Sequence, residues 1–304
     1  MNLEWWIAPW RSEANVWLVV SAFFVALACA LPGVFLILRR MALAGDAISH
    51  SVLPGIVVAF LFTGSLDSPW LVAGAAASGL LAMLVIEGLH RGAGLREDAA
   101  IGIAFTAFFA LGVLLLRNYA GKVDLDPDCV LFGSLETAVH GEQWIVGGYE
   151  IPRVAASGAL TVAGVIAFLT LGFPTLLISS FDPGHARTAG FRPGLINVLL
   201  MALVAVVVVV AFQAVGAILA VALLILPGAT GLLCAKRVRG VLAMASIHAA
   251  FSSVGGLYLA MALNCNVAAA IVLAGAVGFV AAWLFGPMDG IWRWKKKRLG
   301  KITS

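Results

Sequence analysis

The chain is 304 residues long, 62% hydrophobic and only 11% charged, with a mean hydropathy of +1.05. Soluble domains run at about 45–50% apolar and about 25% charged, so this composition excludes a water-soluble globular protein and points to lipid as the solvent. The net charge of +4 and pI near 9.0 do not mark a nucleic-acid binder, because the basic residues sit in short clusters between apolar runs, where they set membrane orientation.

Residues 1–14 carry three Trp and two acids but no basic n-region, so they read as an interfacial segment rather than a cleavable signal. A helix needs about 20 apolar residues to cross the hydrocarbon. Such runs fall at 15–38, 47–65, 70–89, 99–116, 154–178, 195–212, 215–234, 241–263 and 267–286. The sixth and seventh are separated only by Gln213 to Gly216, and a re-entrant segment there would leave eight spans rather than nine. The expected fold is therefore all-α, a polytopic membrane protein of 8–9 transmembrane helices. It would comprise the segment 1–14, one transmembrane domain over 15–286 and a basic cytoplasmic tail over 287–304.

Charge fixes the orientation. With the N-terminus outside, Arg39, Arg40, Arg91, Arg96, Arg187, Arg192, Lys236, Arg237, Arg239, Arg293, Lys295, Lys296, Lys297, Arg298 and Lys301 all fall on the cytoplasmic side. Arg11, Arg117, Lys122 and Arg153 remain outside, along with most of the acids. This is the positive-inside pattern, and it requires a cytoplasmic C-terminus. Two connections exceed what a turn needs: an acidic outer one over 117–153 and an inner one over 179–194.

The second run places Asp46 and His50 inside apolar sequence, four residues apart. On a helix that spacing stacks both on one face, so one anionic oxygen donor and one nitrogen donor can meet a single divalent cation. Pro54 has no N–H and would loosen the helix at that turn. The same pair could instead relay protons or tie two helices together. Other spans must complete a metal site, and His248, with Ser252 and Ser253 one turn on, is a possible contributor; a histidine bonded to a neighbouring group is the plainer reading. Gln213 and Asn264 read as helix-end groups. Pro32-Gly33, Pro54-Gly55 and Pro227-Gly228 are helix-weakening pairs suited to packing or to hinges.

The outer run Asp124-Leu-Asp126-Pro-Asp128 begins like a calcium loop but has Cys129 and Leu135 where an EF-hand needs Gly and Glu. The four cysteines, Cys29, Cys129, Cys234 and Cys265, form no C-x-x-C pair. No nucleotide-binding loop, zinc-protease motif or nucleophile elbow occurs, so this chain is not expected to be an enzyme or to hydrolyse ATP.

Residues 39–55, Arg-Arg-Met-Ala-Leu-Ala-Gly-Asp-Ala-Ile-Ser-His-Ser-Val-Leu-Pro-Gly, resemble the signature of the membrane permease subunits of ATP-binding-cassette (ABC) importers for manganese, zinc and iron. Glu97-Asp98-Ala-Ala-Ile-Gly-Ile, the outer run from Asp124 to Gly133 and the stretch from Val215 to Thr230 resemble further motifs of that family, in the same order. The resemblance implies a bacterial plasma-membrane permease, in the inner membrane where there are two, working as a homodimer or with a sister permease. It implies cytoplasmic ATP-binding subunits that hold the ATP, and an extracytoplasmic metal-binding protein. It puts the metal path on Asp46 and His50. It makes Phe181, Asp182, Pro183, His185, Arg187 and Gly190 the segment coupled to the ATPase, with Gly184-His185 replacing the Glu that commonly follows Phe-Asp-Pro. The competing expectations are a proton-coupled secondary metal transporter using the same pair, and a membrane-embedded hydrolase in which Ser49 or Ser51 would have to act as nucleophile.

Overall fold

The computed structural model describes residues 7–64, 69–119, 135–146 and 148–288. The Asp124 to Asp128 run, the tail from residue 289 and the first six residues lie outside the described residues. After a 3-10 turn at Ala8–Arg11 the chain forms α1 (Glu13–Leu38), α2 (Ala42–Ser51), α3 (Leu53–Thr63), α4 (Pro69–Gly92) and α5 (Glu97–Tyr119). Then come α6 (Leu135–His140), β1 (Gln143–Val146), β2 (Tyr149–Pro152), α7 (Arg153–Phe181) and α8 (Pro183–Thr188). The chain closes with α9 (Pro193–Val215), α10 (Ala217–Cys234), α11 (Val238–Leu263) and α12 (Val267–Phe285). Helices dominate because hydrocarbon offers backbone groups no partner, and a helix satisfies nearly all of its own.

Among the described residues, eight helical segments are long and apolar enough to cross a membrane, with α2 and α3 counted together as Ala42–Thr63, and α10 is a shorter apolar helix. The 195–234 region thus folds as two helices joined by Gly216 alone, whose φ of 78° makes the turn. Because Gly33 and Val34 of α1 lie beside Leu224 and Gly228 of α10, both helices run in the same sense, and α10 ends with Leu233 accepting a bond from the Met288 N–H just past α12 (3.2 Å).

The core is built around α1, which is apolar on every side and packs against α7, α9, α10 and α11. Its closest approach is to α10, where a Cβ on Gly33 would overlap the carbonyl oxygen of Leu224. Gly228 sits against Val34 and Ile37, and Gly231 would meet the Val241 carbonyl oxygen at 2.6 Å. Gly256 of α11 lies as tightly against Ile271 of α12. In lipid the helices gain little hydrophobic drive from meeting one another, so small residues that let backbones approach supply the packing energy. Gly33 and Gly228 are therefore contact points of the bundle.

At the end that charge assigns to the cytoplasm, Arg39 caps α1. It donates from Nε to Ser180 Oγ (3.0 Å), from one terminal nitrogen to Asn197 Oδ1 (3.0 Å) and from the other to Ser179 Oγ (2.7 Å). Asn197 donates onward to Glu87 (3.2 Å), which pairs with Arg91 at 2.5 Å. Burial lowers the Arg39 guanidinium pKa from its ordinary value, while Glu87 acts in the opposite sense. A guanidinium stays charged regardless.

Residues 135–152 of the outer connection, where described, carry a short helix and a hairpin that the sequence reading did not assign. α6 buries Leu135 and Val139 against α1, and β1 and β2 pair antiparallel around Gly148, whose φ is 88°. Gln143-Trp-Ile-Val and Tyr149-Glu-Ile, split by two glycines, were the sequence signal for that hairpin. Glu136 accepts from the Val267 N–H at the start of α12 (2.9 Å), and Trp10 donates to the Tyr258 hydroxyl (2.7 Å). Asn264 ends α11 in the left-handed conformation (φ 50°), the helix-end role expected of it.

Replacing Gly33 by Val places a branched side chain against the α10 backbone and is expected to cost about 3 kcal/mol. The thermal midpoint of the detergent-purified protein falls accordingly, whereas Gly88→Val, with nothing within 4 Å, leaves it unchanged.

Candidate functional site

The second span is broken at Val52, between α2 and α3, with Pro54 in the first turn of α3. A proline there leaves carbonyls of the preceding turn without their usual partners. Next to the His50 carbonyl that Pro54 cannot bond, Ser78 of α4 donates to the Ser51 carbonyl at 2.6 Å. The α3–α4 crossing is close because Gly55 faces Gly74, each carbonyl standing where the other residue would carry a Cβ.

On the other side, α2 is pinned by Leu224, which is fully buried and touches Gly33 through its carbonyl and Gly45 through its side chain. With Gly45 held against α10, the next residue projects away from the core. The Asp46 side chain is 50% exposed and that of His50 29%, and His50 Nε2 stands 3.6 Å from Asp46 Oδ1. That is an ion-pair distance, too long for a hydrogen bond, so both groups retain capacity for a third atom. The His50 ring lies edge-on to Phe105 and Phe109 of α5, with centroids 5.2 and 5.7 Å away. The pair therefore occupies a half-open face between α2 and α5, walled by aromatic rings. Phe105 and Phe109 share one helix face by spacing, but nothing in the sequence says that this face meets α2.

His248 does not join them. It is 5% exposed on α11 and turned toward Gly275 and Gly278 of α12, with Ser252 donating to its backbone carbonyl (2.8 Å). Among the described residues no three His, Cys, Asp or Glu side chains gather where they could hold a metal ion. Among the described residues, one copy of the chain thus offers two donors at this face. Ser49 and Ser51 are buried and donate to the carbonyls of Asp46 (2.5 Å) and Ala47 (2.6 Å), so the nucleophile that a hydrolase would need is engaged elsewhere.

The inner connection forms the short helix α8. Asp182 caps it, accepting from the His185 N–H at 2.8 Å, and Gly190 turns the chain out with φ 85°. Phe181, Asp182, Pro183, His185 and Arg187 are exposed, while Ala186 is fully buried and anchors the helix. Gly184-His185 in place of an acid is compatible with a helix because the cap comes from Asp182.

A family model described as the ABC 3 transport family matches residues 12–286. The chain belongs to the ABC 3 transport family. The zinc transport system membrane protein TroD of Treponema pallidum is 39% identical over 275 residues, covering 90% of this chain and 75% of the relative. The manganese transport system membrane protein MntD of Bacillus subtilis is 36% identical over 277 residues, covering 91% and 94%. Among solved structures, PsaBC from Streptococcus pneumoniae in complex with Fab superposes with a TM-score of 0.78 at 31% identity, covering 97% of this chain and 100% of that chain. Membership agrees with the resemblance carried by residues 39–55, and the ABC 3 fold accounts for the helices seen here.

Loss of the α8 cap is a direct test of local order. Asp182→Ala is expected to destabilise the helix by about 1 kcal/mol, so amide hydrogen exchange over 183–188 speeds up about fivefold while the spans are unaffected.

Proposed function

We propose that this chain is the membrane subunit of an ABC importer that carries a divalent transition metal, manganese or zinc, into the cytoplasm of a bacterium. The observation that carries the reading is the Asp46–His50 pair. A carboxylate and an imidazole sit one turn apart in an apolar span, half-open, with no third His, Cys, Asp or Glu beside them among the described residues. The names of the relatives, zinc for TroD and manganese for MntD, support the class of cargo. Mixed oxygen and nitrogen donors suit manganese, iron and zinc alike, so the pair favours no single one of them.

Two donors are too few for a divalent ion that is shedding water. A second permease copy, or a sister permease, facing the α2–α5 surface would supply a matching pair and make a four-donor site. Such a site is weak enough to release its ion, because each copy contributes only one anion. A separate cytoplasmic ATPase seats on the exposed face of α8, and an extracytoplasmic metal-binding protein delivers from the opposite side. Asp46 and His50 act as transient ligands, and closure and opening of the permease pair exposes them to each side in turn. Pro54, beside the interruption at Val52, is the place where the second span would flex, whereas Gly55 and the Pro227-Gly228 pair are packed against α4 and α1 and act as contact points.

The test is uptake of radioactive Mn and Zn by the complex with its partner subunits. Asp46→Asn and His50→Ala are each expected to lower it at least ~tenfold while the permease remains folded. Unchanged uptake in both variants removes the site. Uptake that persists when the partner's ATP site is disabled favours a secondary transporter instead.

A further inference from the structure

We infer that Arg39 is a positioning residue that carries the movement of α8 to the helix bearing Asp46 and His50. The inference rests on the importer reading and deepens it by assigning the link between the two ends of the machine.

The geometry is specific. Ser179 and Ser180 stand in the last turn of α7, immediately ahead of the α8 cap Asp182, and Asn197 stands in the first turns of α9, immediately after α8. One guanidinium therefore holds the chain on both flanks of α8, at 2.7, 3.0 and 3.0 Å. Arg39 is itself the C-cap of α1 and is separated from α2 only by Arg40, held at φ 63°, and Met41. A left-handed residue between two helices makes a tight corner, so displacing Arg39 displaces the start of α2. A second route runs parallel to the first. Asn197 donates to Glu87 of α4, and the same helix offers Ser78 to the Ser51 carbonyl, one residue past His50. Both flanks of α8 thus reach the start of α2 through Arg39, and the α9 flank also reaches its end through Glu87 and Ser78. The planar fork of Arg spans three acceptors in fixed directions; an ammonium has the charge but not that geometry.

The experiment uses the complete complex in proteoliposomes, with ATP hydrolysis and radioactive Mn uptake measured on the same vesicles. For Arg39→Gln, hydrolysis is expected to stay within ~twofold of wild type while ions moved per ATP fall at least ~tenfold, and Arg39→Lys is expected to recover part of the loss. Asn197→Ala and the double variant Ser179→Ala with Ser180→Ala weaken the link from the acceptor side. They are expected to uncouple in the same direction, which keeps the test decisive if Arg39→Gln fails to assemble. Arg96→Gln, an exposed cation at the same end, should change neither quantity. Hydrolysis and uptake falling in parallel in all Arg39 and acceptor variants would mean a structural role and overturn the link alone. Wild-type vesicles that admit Mn without ATP would sink the importer reading, and the link with it.

Discussion

An ionisable side chain in an apolar span is the condition that organises this molecule. On insertion scales an Asp at a helix centre costs about 2.5–3.5 kcal/mol, and the cost can be met only by partners or by water. The chain meets it in two ways. Glu87, in the run that forms α4, is largely buried, ion-paired with Arg91 and bonded to Asn197. Asp46, in α2, stands half-exposed with His50 as its nearest partner at 3.6 Å. One acid is paired within its own helix and tied to α9 through Asn197. The other is left open at the protomer edge, beside aromatic rings that offer no strong acceptor or donor. Burial follows the same division: the spanning window of α1 is 72% buried and that of α5 only 22%. The open donor pair lies on the side of the fold that lacks cover, which under the proposed importer reading is where a second permease copy would pack.

Most of the architecture was legible because lipid simplifies the code. Runs of apolar residues become helices, basic clusters mark the inner ends, and both follow from the cost of unsatisfied backbone and charge. The short spacing between Asp46 and His50 was equally legible, since a helix turns four residues into neighbours. What escaped was anything set by which helix faces which. Glu87 and Asn197 sit in apolar runs and carry the same warning that Asp46 does, yet their partnership with Arg39 spans α1, α4, α7 and α9 and leaves no periodicity to read. The outer connection escaped for a different reason. Its hairpin strands are four residues long, too short for alternation to stand out against an otherwise helical chain.

Glycine placement explains how such a bundle can be rigid in one part and yield in another. Gly33, Gly228, Gly231 and Gly256 bring α1, α10, α11 and α12 into backbone contact, a body with little room to deform. Gly55 and Gly74 do the same for α3 and α4. Between these two bodies lies α2, touching the first through Gly45 and Leu224 and the second through Ser51 and Ser78, with helix breaks on both sides of it, at Arg40 and Val52. The ten-residue helix α2 is bounded by the Arg40 corner and by the interruption of the ladder at Val52, so it is tied to each body at one end. Among the described residues, the donor pair on the open face is carried on that element. Relative movement of the two bodies would then appear as reorientation of Asp46 and His50, which is what the proposed importer reading asks of that pair.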